Sequence, residues 1–420
     1  VTRVYLHTFG CKANQYDTEV LRQALEAAGA AVVDHPAEAD AAVVNSCTVT
    51  HVAEAKMRGL VRRLSRENSG VQTVITGCAA ALDDGTIAAL PNVIGVVRGT
   101  DPHRVLAALD LPADGVDPVL RTFGRGARAW LKIQDGCDEH CTFCATTLAR
   151  GASRSREPGV IVQEAQALAA SHAELVITGV HIGAYGRDLG DGMNLGVLLE
   201  RLISAVPVPR WRLSSVEATE VDDRLADLWS GTPEKLVPHL HAPLQSGSDR
   251  LLKRMGRHWY TAATYREHIE RLAARVPVFG LGADVMVGFP GETAADHAAT
   301  TALIEQLPFT YLHVFPYSER PGAAAQHLGA PVVPETAAQR SAQLRALVAE
   351  KGAAYRAARD GGVADVVVLR RARGWYEGLT EDYLPVYLPS HQSVPARLQA
   401  TLSLMEDGTL QADPTEPREA

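Results

Sequence analysis

The chemistry of this 420-residue chain is most legible in its six cysteines. Three of them, Cys137, Cys141 and Cys144, lie in the stretch Gly136-Cys137-Asp138-Glu139-His140-Cys141-Thr142-Phe143-Cys144, spaced C-x3-C-x2-C. Thiolates this close can hold three corners of a 4Fe–4S cube. Such clusters normally take four cysteines, so one iron is left to bind something else. The competing reading is a helical cysteine stripe buried as small apolar side chains. The polar neighbours Asp138, Glu139, His140 and Thr142 and the turn-forming Gly136 speak against it. The other three, Cys11, Cys47 and Cys78, are scattered, and only the elements around them give them meaning.

Residues 1–112 alternate strand and helix. Strands are expected at Val4–Thr8, Ala41–Asn45, Val71–Thr76 and near Val93–Val97. Helices are expected at Tyr16–Ala28 and Ala53–Arg66 and near Gly85–Leu90 and Pro102–Leu109. Alternation of this kind implies a parallel sheet with helices packed on it, and in such sheets function collects beyond the C-terminal ends of the strands. Cys11, Cys47 and Cys78 each fall just beyond such an end. A second three-cysteine cluster with its own open iron is therefore expected, and Gly10 and Gly77 would let the backbone approach it closely.

Residues 113–127 are small, polar and proline-containing and read as a linker. Alternation resumes over 128–360 with about six βα units, a partial barrel that ends in a long helix at Ala337–Arg359. Barrel chemistry sits at the C-terminal ends of the strands, where the C-x3-C-x2-C loop follows the strand Ala129–Gln134. Thr178 and Gly179, Ser215 and Glu217, Gln245 and Asp284 fall at the same rim. Their hydroxyl, amide and carboxylate groups and the bare backbone of Gly179 form the wall expected around a nucleoside-like cofactor. Residues 361–415 break into short strands with no helix, which indicates a small all-β barrel of a kind that often binds oligonucleotides. Arg370, Arg371 and Arg373 with Trp375, Tyr376, Tyr383 and Tyr387 would supply phosphate contacts and stacking surfaces. The other reading is a structural lid with its aromatics inside. Residues 416–420 read as a tail.

Bulk composition frames these readings. Hydrophobic residues make up 46% and charged residues 21%, a soluble globular balance, in a chain long enough for two or three domains. The longest apolar runs are strand-length, so no membrane partner is expected. The N-terminus reads as a strand rather than a signal peptide, which with the cysteines points to a reducing cytoplasm. Net charge is −8, from 41 basic against 49 acidic residues. This announces no nucleic-acid binder and excludes none, because only the local field at a binding face matters. The basic runs Lys56–Arg66, Arg121–Arg128, Arg150–Arg156, Arg250–Arg257 and Arg370–Arg373 each read first as solvated faces.

C-x3-C-x2-C with an aromatic before its last cysteine resembles the radical S-adenosylmethionine (SAM) superfamily, in which the amino and carboxylate groups of SAM chelate the open iron. The whole chain is similar to the methylthiotransferase branch of that superfamily. The matching motifs are Thr8-Phe9-Gly10-Cys11-Lys12-Ala13-Asn14-Gln15-Tyr16-Asp17, Asn45-Ser46-Cys47-Thr48-Val49-Thr50, Thr76-Gly77-Cys78, and the cysteine loop on to Ala149-Arg150-Gly151. Further matches are Thr178–Gly183, His241–Asp249, Val287–Glu292 and Gly378–Tyr383, the last in the terminal β-domain that the family calls TRAM. One departure is Ala145-Thr146-Thr147-Leu148, where the family often has two aliphatics, a proline and an aromatic. It leaves the cysteines untouched and bears on packing of that loop.

The resemblance implies an α/β multidomain fold: a parallel-sheet domain, a partial (β/α)6 radical-SAM barrel and a TRAM-like RNA-binding barrel. It implies an auxiliary 4Fe–4S cluster on Cys11, Cys47 and Cys78 and a second, SAM-cleaving one on Cys137, Cys141 and Cys144. Gly-Cys-Lys-x-Asn-Gln-Tyr at the first cysteine resembles the branch that adds a methylthio group to C2 of N6-threonylcarbamoyladenosine at position 37 of tRNA. The implied partners are a tRNA anticodon stem-loop and a one-electron donor such as flavodoxin or ferredoxin, with the sulfur source open. Methylthiolation of N6-isopentenyladenosine or of a ribosomal-protein aspartate stays open, as does a non-catalytic iron–sulfur RNA-binding sensor. No catalytic side chain beyond the cysteines stands out.

Overall fold

The computed structural model describes residues 1–48, 51–124, 126–206, 209–329, 332–372, 374–389 and 393–415. Val49, Thr50, Arg125, Arg373 and the tail 416–420, all singled out in the sequence, lie outside the described residues. The chain begins with a parallel five-stranded sheet, β1 (Arg3–Thr8), β2 (Ala31–Val33), β3 (Ala41–Ser46), β4 (Gln72–Gly77) and β5 (Val93–Val96), in the order β2-β1-β3-β4-β5. The central β3 is buried at every position, as a parallel strand covered on both faces must be. Its alternate residues serve two cores. Ala42 and Val44 pack with Met57, Leu60 and Leu64, while Ala41 and Val43 pack with Leu21, Leu25 and Leu106.

Two local expectations are corrected. The first helix, α1, spans Lys12–Ala27 and starts straight after Cys11, which is its N-cap. The expected start at Tyr16 missed a turn because Asn14, Asp17 and Thr18 are buried polar residues, so apolar periodicity does not mark the buried face. Gly85–Leu90 forms turns, not a helix. The Asp83 carboxylate accepts from the Ile87 N–H at 2.8 Å and that of Asp84 from the Thr86 N–H at 3.2 Å, local bonds that compete with helical ones.

The middle of the chain supplies six more parallel strands: β6 (Arg128–Lys132), β7 (Glu174–Thr178), β8 (Arg210–Leu213), β9 (His239–His241), β10 (Gly280–Val287) and β11 (Tyr311–Pro316). They form two three-stranded sheets, β8-β7-β6 and β9-β10-β11, joined by the bridges Trp211↔Leu236 and Ser215↔His241. One set of alternate residues, among them Leu131, Ile177, Leu213, Leu240 and Leu281, enters a single apolar core shared with the surrounding helices. The other set is polar: Arg128 and Lys132, Glu174, Arg210 and Arg212, His239 and His241, Asp284, Tyr311 and His313. These line the inside of the arc.

Two sides of this interior are covered. On the side where β6 has no strand neighbour lies α1, held by Trp130 Nε1–H to Gln15 at 2.6 Å, Lys132 to Asp17 at 2.5 Å and Tyr16 O–H to Glu164 at 3.0 Å. At the N-terminal ends of the strands sits a closed five-stranded barrel, β12 (Val363–Arg371), β13 (Trp375–Leu379), β14 (Pro385–Pro389), β15 (Arg397–Leu404) and β16 (Leu410–Pro414). Its Thr380–Tyr383 turn is the plug. Arg210 donates to the Leu379 carbonyl at 3.0 Å, and Arg212 to those of Thr380 and Glu381 at 2.9 and 3.0 Å.

Gly280 makes this seam possible, because a Cβ there would run into the Asp382 carbonyl oxygen. Backbone cannot swing aside as a side chain can. Gly280→Ala is therefore expected to cost about 1–3 kcal/mol and to loosen the small barrel, read as a lowered Tm and faster proteolysis just before β12. Unchanged proteolysis and Tm would show that the seam yields freely.

Candidate metal and cofactor centre

The C-x3-C-x2-C loop is shaped by its first residue. Gly136 has φ +73°, and a Cβ on it would strike the Ala152 carbonyl oxygen. The loop is then tied down by Cys137 N–H to Gly151 O at 3.0 Å and Thr142 N–H to Met255 O at 2.8 Å. Donors gather on its sulfurs. The Glu139 and Thr146 N–H groups point at Cys137 and Cys144 Sγ at 3.4 and 3.3 Å, and His181 Nδ1 lies 3.7 Å from Cys137 Sγ. Arg257 Nη1 donates to Cys141 Sγ at 3.5 Å. The same guanidinium binds Glu217 and, at 2.9 Å, the Tyr260 hydroxyl. Burial pushes the Cys141 thiol up to about 12 against the pull of Arg257.

The triad of Cys11, Cys47 and Cys78 assembles where the first sheet ends. Cys11 caps α1, Cys47 follows β3 and is 3% exposed, and Cys78 opens the short helix Cys78–Ala81. Gly10, with φ +104°, passes so close that a Cβ would lie 2.8 Å from Cys47 Sγ. The Asn14 amide clamps the ends of β1 and β3, donating to Phe9 O at 2.8 Å and Ser46 O at 2.9 Å. Burial, with the charges of Cys11 and Cys47 adding to it, raises the Cys78 thiol to about 11, and Arg150 opposes this.

Arg150 joins the two cysteine-bearing halves. It lies in the helix Thr146–Arg150 that follows Cys144, and its Nε donates to Cys78 Sγ at 3.2 Å. It also binds Asp135 at 2.8 Å and Asp17 at 2.9 Å, with 7% of its side chain exposed. A cleft of about 480 Å³ runs along this seam, lined by Cys78, Arg98, Asp135, Leu148, Arg150 and Arg154 among others. The sequence placed Arg150, Arg156 and Arg257 in solvated runs. Arg150 and Arg257 are instead buried and ion-paired, Arg257 on Glu217, and the half-buried Arg156 pairs with buried Glu164 at 2.8 Å. The available signal was position, since Arg150 follows the cysteine loop directly.

Both triads fit iron–sulfur clusters. Backbone and guanidinium donors aimed at sulfur are what cluster thiolates need, and buried thiols otherwise keep their protons. Among the described residues, only His241, Asp284 and His313 bring ligand atoms within 4.8 Å of one another.

The six expected cofactor residues occupy different stations of the rim. Thr178 is 2% exposed, and Gly179 lies so close to Gln134 that a Cβ would sit 2.7 Å from its carbonyl oxygen. Ser215 is exposed and bridges to His241. Glu217 sits behind Cys141 on Arg257, its pKa raised by burial, and its Oε2 is buried without a partner among the described residues. Gln245, at φ +61°, donates its N–H to Asp284 O at 2.8 Å, and its Oε1 is likewise unpartnered. These two orphaned acceptors fit the ammonium and ribose hydroxyls of SAM. Asp284 is committed elsewhere, 3.2 Å from both His241 Nε2 and His313 Nδ1. Burial opposes its ionisation, but the two imidazoles outweigh it and hold the carboxyl well below its usual range.

Deeper in the interior, Glu174 carries three guanidiniums, those of Arg128, Arg210 and Arg212 at 2.6, 2.7 and 3.0 Å. Lys12 reaches the same region from the start of α1. Burial, then Arg128 and Arg212, lower its amine to about 8. Beside it, His239 stacks on Tyr383 at 4.3 Å, and its Nε2 lies 2.8 Å from the Tyr311 hydroxyl. The sequence reading did not pick out this polar interior.

Residues 131–304 match the radical SAM superfamily, and residues 3–99 match a family described as uncharacterized protein family UPF0004. The chain is 35% identical to the threonylcarbamoyladenosine tRNA methylthiotransferase MtaB of Bacillus subtilis, over 91% of this chain and 89% of that protein. It is 33% identical to the tRNA-2-methylthio-N(6)-dimethylallyladenosine synthase of Syntrophobacter fumaroxidans, over 98% and 96%. Among solved structures it is similar in fold to the radical SAM methyltransferase TsrM from Kitasatospora setae, with a TM-score of 0.58 over 77% of each chain at 17% identity.

Proposed function

This chain belongs to the radical-SAM family of tRNA methylthiotransferases, and on that premise we propose that it adds a methylthio group to C2 of N6-threonylcarbamoyladenosine at position 37 of tRNA. The observation that carries the reading is Arg150, which follows the C-x3-C-x2-C loop in one half of the molecule and reaches the Cys78 sulfur of the other. Two clusters and SAM, when bound, would supply the radical and sulfur chemistry that an unactivated aromatic C–H demands and polar side chains lack.

The protein's share is placement. Cys137, Cys141 and Cys144 would hold one cluster and Cys11, Cys47 and Cys78 the other. Arg257 and Arg150 direct positive charge at one sulfur of each. Glu217 and Gln245 offer unpaired acceptors to SAM. The α1 and Thr380–Tyr383 covers keep water from the interior, where a radical would otherwise be quenched. The small barrel, TRAM-like in this reading, turns Trp375 and Tyr387 outward, 47% and 37% exposed and edge to face at 5.7 Å, a stacking surface for unpaired bases. Arg371, over the Tyr376 ring, adds a cation beside it. A low-potential donor of the flavodoxin or ferredoxin kind would supply the electron. No described helix is long and apolar enough to cross a membrane.

The test is nucleoside mass spectrometry after anaerobic reaction of reconstituted protein with SAM, reductant and anticodon stem-loops. The expected product is 2-methylthio-N6-threonylcarbamoyladenosine. Product only from the dimethylallyl stem-loop would overturn the substrate assignment and leave the reaction class standing.

A further inference from the structure

The innermost part of the barrel interior carries more positive charge and more donors than its own residues satisfy. Arg128, Arg210 and Arg212 converge on the single carboxylate of Glu174, and Asp365, which also approaches Arg210 at 3.4 Å, is shared with Arg397 at 2.8 Å. Arg128 Nη2 and His239 Nδ1 are buried with no hydrogen-bond partner among the described residues. Lys12 lies one turn before Gln15 on the same face of α1, and Gln15 binds Trp130, two residues along β6 from Arg128, so the helix carries Lys12 toward this cluster. No ion pair or hydrogen bond involves its side chain among the described residues. By contrast, the neighbouring Asp17, Asp135, Lys132 and Arg150 balance one another. An unpaired cation beside a buried, unsatisfied guanidinium N–H is costly unless something supplies negative charge and acceptors.

We propose that Lys12, backed by Arg128 and Arg212, is the receptor for a carboxylate carried on the N6 substituent of the target adenine. The proposal rests on the reading that the substrate is an N6-substituted adenosine modified at C2. The ring places C2 and C6 on either side of N1, so a group on N6 lies beside the C2 edge. Lys12 is the residue next to Cys11 and opens α1, which covers the barrel interior, so it stands beside the triad that this chemistry requires near C2. A threonylcarbamoyl group ends in a carboxylate. A dimethylallyl group is apolar and would leave Lys12 without a counter-charge. The charge of this pocket, rather than its shape, would then select the substrate.

An anion in the pocket has two sources, the substituent carboxylate and an RNA phosphate. Binding of iron-loaded protein is measured for four anticodon stem-loops of one sequence. The target adenosine carries threonylcarbamoyl, its methyl ester, dimethylallyl, or nothing. The expected result is about tenfold tighter binding of the threonylcarbamoyl form than of its ester, a charge-assisted bond of about 1.4 kcal/mol. Lys12→Gln is expected to erase that gap and Lys12→Arg to keep part of it. An equal loss for all four RNAs in Lys12→Gln would assign Lys12 to a phosphate and overturn the proposal. So would an ester bound as well as the acid by the unaltered protein, a comparison that stands even if Lys12→Gln fails to load iron. Methylthiolation of the threonylcarbamoyl substrate with no charge preference would sink this inference alone. Methylthiolation of the dimethylallyl substrate alone would sink the reading beneath it.

Discussion

Replacing Cys11, Cys47 and Cys78 together by alanine is expected to lower the iron of anaerobically reconstituted protein from about eight atoms to about four, one 4Fe–4S cluster's worth. Methylthiolation should stop while 5′-deoxyadenosine still forms from SAM. The split follows from where the sulfurs sit. The first triad is built on β1, β3 and the helix after β4, and the second on one loop after β6. Donors to each set come from different groups: Arg257, the Glu139 and Thr146 N–H groups and His181 for the second, Arg150 for the first. None of these donors to the second loop's sulfurs is held by a sulfur of the first triad. The mirror variant, lacking Cys137, Cys141 and Cys144, should retain about four irons and lose both activities. If the variant without Cys11, Cys47 and Cys78 still thiolates RNA, two clusters with divided roles are not how this protein works.

Arg150→Gln should weaken the joint between the two halves by about 3–5 kcal/mol, the cost of breaking a buried ion pair by removing one partner. Among the described residues, Arg150 is the one cation that touches Asp17 in the first half, Asp135 in the second and the Cys78 sulfur at once. With it gone, Asp17 and Asp135 share Lys132 alone of the described cations, at 2.5 and 2.7 Å, and the Cys78 sulfur loses its donor. A lowered Tm should accompany faster loss of iron from the Cys11/Cys47/Cys78 triad, followed spectroscopically under a chelator. Arg150→Lys keeps the charge but not the planar fork, so it should restore Tm in part and iron retention less. Iron loss equal from both triads would show Arg150 to be a general stabiliser rather than a support for Cys78.

The elements were legible where burial is simple. The strand β3 reads as Ala41-Ala42-Val43-Val44 because both of its faces are covered, and its bounds were placed to within a residue. The same logic failed at α1, whose buried faces carry polar residues satisfied by distant partners, Asn14 and Thr18 against the first sheet and Asp17 against the barrel. It failed at Gly85–Leu90, where two aspartates take backbone N–H groups that a helix would have used. The runs Lys56–Arg66 and Arg370–Arg371 are largely solvated as read, but Arg128, Arg150 and Arg257 are not, for a related reason. An arginine's exposure depends on whether the fold brings it a carboxylate. Glu174 lies far in sequence from Arg128 and Arg210, and Asp17 far from Arg150.

The sequence alone determined that three cysteines share one loop after a strand and that the other three each fall just beyond a strand end. Spacing within one loop and position after a strand are local properties, carried by short-range geometry. Only the tertiary structure decided that Arg150 belongs to the other triad's Cys78, that α1 closes the open side of the barrel, and that Lys12 makes no ion pair among the described residues. Those facts depend on contacts across long stretches of chain, such as Lys132 with Asp17 at a separation of 115 residues. Charge balance inside a fold is a sum over such contacts, and no stretch of chain contains it.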